Sequence, residues 1–89
     1  MQHVSSIQIR ADLELIIRRI RPDLRGNIES SDRLRDDLGL DSLHAMELLS
    51  EVSEKYALDV DPETVQDVRT VGDVTAFLSR LLEESAGTL

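Results

Sequence analysis

The side chains able to do chemistry gather in one short stretch, "DDLGLDSLHAMELLSEV", Asp36 to Val52, where Asp41, Ser42 and His44 stand close together. Aspartate, serine and histidine are the residue types of a nucleophilic hydrolase, in which imidazole takes the serine proton and the carboxylate orients the imidazole. The spacing rules that chemistry out. Ser42 and His44 are two positions apart where a helix begins, and residues two apart on a helix point away from each other. The Gly-x-Ser-x-Gly turn of the hydrolases is missing too, since Leu43 and His44 follow the serine. Asp36, Asp37 and Asp41 supply oxygens, but not the Asp-x-Asp-x-Asp-Gly loop and closing glutamate of a calcium site. The chain has no cysteine, so thiol nucleophiles, thiolate zinc sites and disulfides are all excluded.

Two roles remain for Ser42. The plain one is a helix cap that satisfies a free backbone N–H. The other is a point of attachment: Gly39 eases the turn before the helix, Asp41 sets an anion beside the hydroxyl, and the helix N-terminus stabilises a phosphodiester. Leu43 then offers an exposed apolar contact just past the site.

The elements that must position these residues are helical. Ile9, Leu13, Ile16, Ile17 and Ile20 form one stripe, predicting a first helix from about Ser6 to Ile20, capped by Ser5 or Ser6 and ended by Pro22. A loop of about twenty residues follows, with a helical turn expected around Ser31 to Arg35. The second helix should start at Asp41 or Ser42 and reach Tyr56, burying Ala45, Leu48, Leu49, Val52 and Tyr56. A short helix is expected from Pro62 to about Asp67, with Asp61 as its cap. Thr70 and Asp73 read as a capping box for a final helix through Leu82, facing Val71, Val74, Phe77, Leu78, Leu81 and Leu82 inward. Nothing alternates long enough to demand a strand. The expected fold is all-α: a small bundle of three main helices plus a short one, with a long loop between the first two. The 89 residues suit one domain, ordered from about residue 5 to 82 with a mobile tail at 83–89.

Charge is concentrated by position. Asp36 to Asp67 carries ten acidic residues against Lys55 alone, a net of −9, while the rest of the chain sums to +1. That field repels phosphate backbones and attracts basic protein surfaces, so nucleic acid is not an expected partner. With Tyr56 and Phe77 as the only aromatics, stacking on single-stranded bases is disfavoured as well. No apolar run approaches the ~20 residues of a membrane span and no signal-peptide pattern opens the chain, which reads as a cytoplasmic monomer that does not engage membranes.

The residues resemble the acyl carrier proteins. Their helix-opening Asp-Ser-Leu matches Asp41, Ser42 and Leu43, and from "LRDDLGLDSL" through "MELLSEVSEKYALDVDPETVQDVRTVGDVTAFL" the chain follows the discrete, type II pattern over about half its length. The resemblance implies a carrier and not an enzyme, with 4'-phosphopantetheine attached to Ser42 by a phosphopantetheinyl transferase and acyl groups held as thioesters on the arm. The missing cysteine is then no obstacle, because the thiol belongs to the prosthetic group.

Glu47, Glu51 and Glu54 step by four and three and share one exposed ridge, with Leu43 beside it and Met46 at its border. Such a ridge is either an ordinary solvated face or, as in the family, a docking surface for basic patches on an acyltransferase, ketosynthase or acyl-activating ligase. If the acyl chain is sequestered, Leu48, Val52, Val68 and Phe77, between the second and final helices, are expected to line it. Leu40 and His44 depart from the commonest fatty-acid carriers, and "LGLDSL" is similar to polyketide and other specialised carriers. A peptidyl or aryl carrier usually shows "GGHSL" or "GGDSL". An acidic helical adaptor with Ser42 as a mere cap is the remaining alternative.

Overall fold

Local end signals set the helix boundaries. The computed structural model describes residues 5–61, 63 and 66–86. Among them are three α-helices, α1 (Ser6–Ile20), α2 (Ser42–Tyr56) and α3 (Val71–Ala86), and no strand beyond one isolated bridge between Arg33 and Thr70. α1 starts where the Ser5 hydroxyl accepts the Gln8 N–H at 3.2 Å, and stops at Arg21, ahead of Pro22. α2 ends on Ala57, which takes the left-handed conformation (φ 55) so that the Leu58 N–H can reach the Ser53 carbonyl at 2.8 Å. At the head of α3 the Thr70 hydroxyl accepts the Asp73 N–H at 3.0 Å, and the Asp73 carboxylate accepts the Thr70 N–H at 3.1 Å, closing the expected box. None of these helices is long and apolar enough to cross a membrane.

Three expectations need adjustment. The final helix does not stop at Leu82 but runs on to Ala86, because Glu83, Glu84 and Ala86 are good helix formers and no breaker stands before Gly87. The turn in the long loop lies later than Ser31 to Arg35 and makes no helix: i→i+4 bonds run from the Asp37 N–H to the Arg33 carbonyl at 3.0 Å and from the Gly39 N–H to the Arg35 carbonyl at 3.1 Å. The short helix from Pro62 to Asp67 falls largely outside the described residues; Glu63 and Gln66 have 3₁₀ backbone, and Asp61 accepts the Glu63 N–H at 3.0 Å.

α1 is the central element. Its Ile9, Leu13 and Ile17 are fully buried, with Leu48, Leu49 and Val52 of α2 and Val71, Val74 and Leu78 of α3 in the same core. α1 packs on both other helices, whereas among the described residues α2 and α3 do not closely approach each other. The Tyr56 hydroxyl donates to Asp12, tying the end of α2 to α1. Burial and the Asp12 carboxylate push the phenol well above its ordinary range.

The long loop fills the space this leaves. Ile28, Leu34, Leu38 and Leu40 point inward and are buried, so the backbone between them needs hydrogen-bond partners. Arginines of α1 and its end supply many: Arg10 donates to the Ile28 carbonyl, Arg18 to Gly26 at 2.6 Å and Arg21 to Gly39 at 2.7 Å. Others lie within the loop, and others again join it to the segment entering α3, where the Leu34 N–H reaches the Arg69 carbonyl at 2.8 Å and the Val71 N–H the Asp32 carbonyl at 3.0 Å. Gly72 permits the approach, since a Cβ there would lie 3.1 Å from the Ser30 carbonyl oxygen.

Ala57→Gly should raise stability by up to about 1 kcal/mol, because glycine adopts the left-handed conformation without a Cβ clash; an unchanged urea midpoint would show that the turn is unstrained. Asp73 gives a pH test. Its carboxyl is held below the ordinary range by the Arg69 and Thr70 N–H groups, so the folded chain binds that proton more weakly than the unfolded one. The stability it contributes is complete above the ordinary carboxylate range and is lost as pH falls through the lowered folded value. Urea midpoints of wild type and Asp73→Asn should therefore differ at neutral pH and converge as pH falls below the ordinary carboxylate range. A constant gap would contradict this.

Candidate functional site

The site begins with the turn into α2. Gly39 has φ 70, a conformation that favours glycine, and Leu40 follows with its N–H on the Leu34 carbonyl at 2.8 Å and its side chain only 1% exposed. Leu40 thus anchors the chain immediately before the helix. Asp41 is extended, and its Oδ1 accepts the His44 N–H at 2.9 Å. Asp41 is therefore the cap and Ser42 is not; Ser42 is the first helical residue, and its exposed hydroxyl has no partner among the described residues. The capping role left open for Ser42 is filled by its neighbour.

The Asp41 carboxyl is held below its ordinary range, chiefly by the His44 N–H against the opposing effect of burial, with smaller help from the His44 ring, the Leu43 N–H and Arg35. His44 Nδ1 lies 3.2 Å from Asp41 Oδ1 without the alignment of a hydrogen bond. The ring makes no bond to Ser42. No proton relay runs through the three residues.

A hollow of about 400 Å³ opens beside Ser42. Leu34, Leu40, Ala45 and Val68 form its apolar wall, and Arg33, Arg35, Asp36, Asp41, Gln66 and Arg69 its polar rim. Of the four residues expected to line a cargo, only Val68 borders this hollow. Leu48 and Val52 are sealed in the core, and half-buried Phe77 borders a separate groove along α3 that also meets Val68. Leu34 and the arginines carried no sequence signal for this position, because they lie in the loop and the α3 approach, where no periodicity marks a face. Ala45 was visible only as an inward-facing residue.

The acidic ridge is divided. Leu43 is 71% exposed and Met46 46%, close to Ser42 on the outer side of α2, and Glu47 and Glu54 are exposed on the same side. Glu51 leans towards α1, where Arg19 pairs with it and leaves it 29% exposed. The three glutamates predicted as one ridge are thus two outward-facing residues and one engaged within the fold.

The residues suit a covalently attached phosphodiester arm. A free hydroxyl stands at a helix N-terminus whose cap is supplied by another side chain, and a small hollow lies alongside. Residues 9–78 match the family model described as phosphopantetheine attachment site. The chain is 32% identical to an acyl carrier protein of Exiguobacterium sp. (strain ATCC BAA-1283 / AT1b), over 84% of this chain and 95% of that one. It is also 32% identical to a meromycolate extension acyl carrier protein of Mycolicibacterium aurum, over 91% of this chain and 84% of the relative. A solved structure of a candidate acyl carrier protein from Mycobacterium tuberculosis superposes with a TM-score of 0.73 at 30% identity, covering 81% of this chain and 96% of the other. With a family model spanning most of its length and relatives matched nearly end to end, the chain belongs to the acyl carrier protein family, whose members are carriers of a covalent 4'-phosphopantetheine arm and not enzymes.

Proposed function

We propose that Ser42 carries the arm, and that the chain delivers acyl thioesters to the enzymes of a dedicated biosynthetic pathway. The observation that carries this reading is the division of labour at the head of α2: Asp41 caps the helix, so the Ser42 hydroxyl stands exposed and unengaged at its first position. A phosphopantetheinyl transferase needs such a hydroxyl. Its oxygen attacks the β-phosphorus of coenzyme A, its proton passes to a base of the transferase, and adenosine 3',5'-bisphosphate leaves. The arm supplies the thiol that this cysteine-free chain lacks.

Carrier proteins work with a phosphopantetheinyl transferase and with biosynthetic enzymes. For this chain the outward face of α2 is the proposed docking surface. Leu43 and Met46 give an apolar contact beside Ser42, while Glu47 and Glu54, whose carboxylates have no partner among the described residues, stand where a basic enzyme surface can meet them. Glu51 contributes through a different route, holding Arg19 against α2. Among candidate pathways, specialised-metabolite or polyketide synthesis is favoured over bulk fatty-acid synthesis by Leu40 and His44. The meromycolate extension name of some relatives agrees with a role in a dedicated pathway. A peptidyl or aryl carrier is the second reading, and "GLDSL" in place of a double glycine counts against it.

Incubation with coenzyme A and a broad-specificity transferase should add one phosphopantetheine by intact mass, and Ser42→Ala should abolish the addition. Because Ser42 does not cap the helix, that variant should lose no more than about 0.5 kcal/mol of stability. Undiminished labelling would place the arm elsewhere, and no labelling of the wild type would favour an unmodified adaptor. Glu47→Lys with Glu54→Lys should slow modification mainly through association, and rising salt should slow the wild type in the same way. Leu43→Ala should also slow it, with less salt dependence. Kinetics unchanged in all three arms would make this face solvated surface only.

A further inference from the structure

Three arginines, Arg33, Arg35 and Arg69, rim the hollow beside Ser42 together with two aspartates, Asp36 and Asp41, next to the most acidic stretch of the chain. Residues 36–67 carry a net charge of −9, and arginines in such surroundings find carboxylates wherever geometry allows. Arg33 does so, with Asp36 at 3.5 Å and Asp37 at 3.3 Å. Arg35 and Arg69 line the same hollow; among the described residues neither side chain makes a hydrogen bond or an ion pair within 4.0 Å, and each acts only at longer range, Arg35 on the Asp41 carboxylate and Arg69 on that of Asp73. They are brought together by the backbone bond from the Leu34 N–H to the Arg69 carbonyl, which joins the loop to the approach of α3. A wall of Leu34, Leu40, Ala45 and Val68 lies beneath them. An alkyl tail would use that wall and gain nothing from two guanidinium groups, whereas a ligand with an apolar body and an anionic group uses both. The volume, about 400 Å³, lies in the range of small-molecule sites.

We propose that Arg35 and Arg69 form an anion clamp at the mouth of this hollow, taking an anionic oxygen group borne by the Ser42-linked arm and so drawing the arm against the apolar wall. The clamp rests on the attachment reading. Two anions of this chemistry can reach it: the phosphodiester of the arm itself, and the free carboxylate of a dicarboxylic acyl cargo such as a malonyl group. In either case the arm spends time folded onto the protein, and the clamp biases which cargo is held.

The test uses apo, holo, acetyl-loaded and malonyl-loaded protein, each confirmed by intact mass, in the wild type, in Arg35→Ala/Arg69→Ala and in the control Arg80→Ala. Melting temperatures at low salt are paired with NMR methyl signals of Leu34, Ala45 and Val68. The clamp is expected to raise the melting temperature of at least one loaded form by about 4 °C or more over apo. The rise should shift those methyl signals, fade with salt, survive in Arg80→Ala and be lost in the double variant. Equal rises in holo, acetyl and malonyl forms identify the phosphodiester; a rise in the malonyl form beyond the acetyl form identifies the cargo carboxylate. No rise, or the same rise in the double variant, overturns the clamp while leaving attachment intact. Failure of the wild type to gain the arm overturns both.

Discussion

Everything at the site depends on how the long loop hides its aliphatic side chains without stranding its backbone. Ile28, Leu34, Leu38 and Leu40 are buried from a segment with no helix or strand of its own, and an unpaired buried peptide group costs about as much as those side chains gain. The solution takes donors from elsewhere: guanidinium groups of Arg10, Arg18 and Arg21 on one side, and the backbone entering α3 on the other. Arginine suits this task, since its fixed fork can bond a carbonyl while its stem covers apolar surface. Three of the arginines in the first third of the chain thus serve the loop backbone, and only some of the acids in the middle, such as Glu51 with Arg19, find a cation within the fold.

The same loop determines where Ser42 stands. Leu40 is locked from both sides, by its buried side chain and by its N–H on Leu34, and Arg21 holds the Gly39 carbonyl. Asp41 therefore enters the helix at a defined angle with its carboxylate over the His44 N–H. A serine cap in its place would engage the hydroxyl in a backbone bond; with the cap one residue back, the helix start is satisfied and the Ser42 hydroxyl stays free, as the proposed attachment requires. The aspartate of the Asp-Ser-Leu motif thus has a structural reason, separate from any contact with an enzyme.

What could be read from the sequence followed from periodicity and end signals. α1 and α2 were bounded correctly because Ser5, Pro22, Asp41 and Tyr56 lie where an apolar stripe meets a cap or a breaker, and Thr70 with Asp73 marked the head of α3. The α3 end is not legible in the same way, since "EESA" reads as a polar tail although each residue tolerates a helix. The hollow was not legible at all. Its wall draws on Leu34 and Leu40 from the loop, Ala45 from α2 and Val68 from the α3 approach, residues brought together only by the loop-to-α3 hydrogen bonds. Nor could spacing alone separate Glu51 from Glu47 and Glu54; the three share a ridge on an isolated helix, and only packing against α1 places Arg19 beside one of them.

A domain of this size cannot hold a deep cleft, and it does not need one. Transfer of the arm requires a base, a bound coenzyme A and a phosphate site, all of which a partner enzyme can supply, so the carrier has to offer only a rigidly placed hydroxyl and a surface that orients the encounter. Those demands are of different kinds. Rigidity is set by short-range contacts around Leu40 and Asp41 that salt leaves nearly untouched, while on the proposed docking reading orientation comes from the long-range field of the Glu47 and Glu54 carboxylates, which salt screens within about 10 Å. Because the carboxylates of the proposed docking face are not the residues that anchor, that face can change without loosening the turn that presents Ser42.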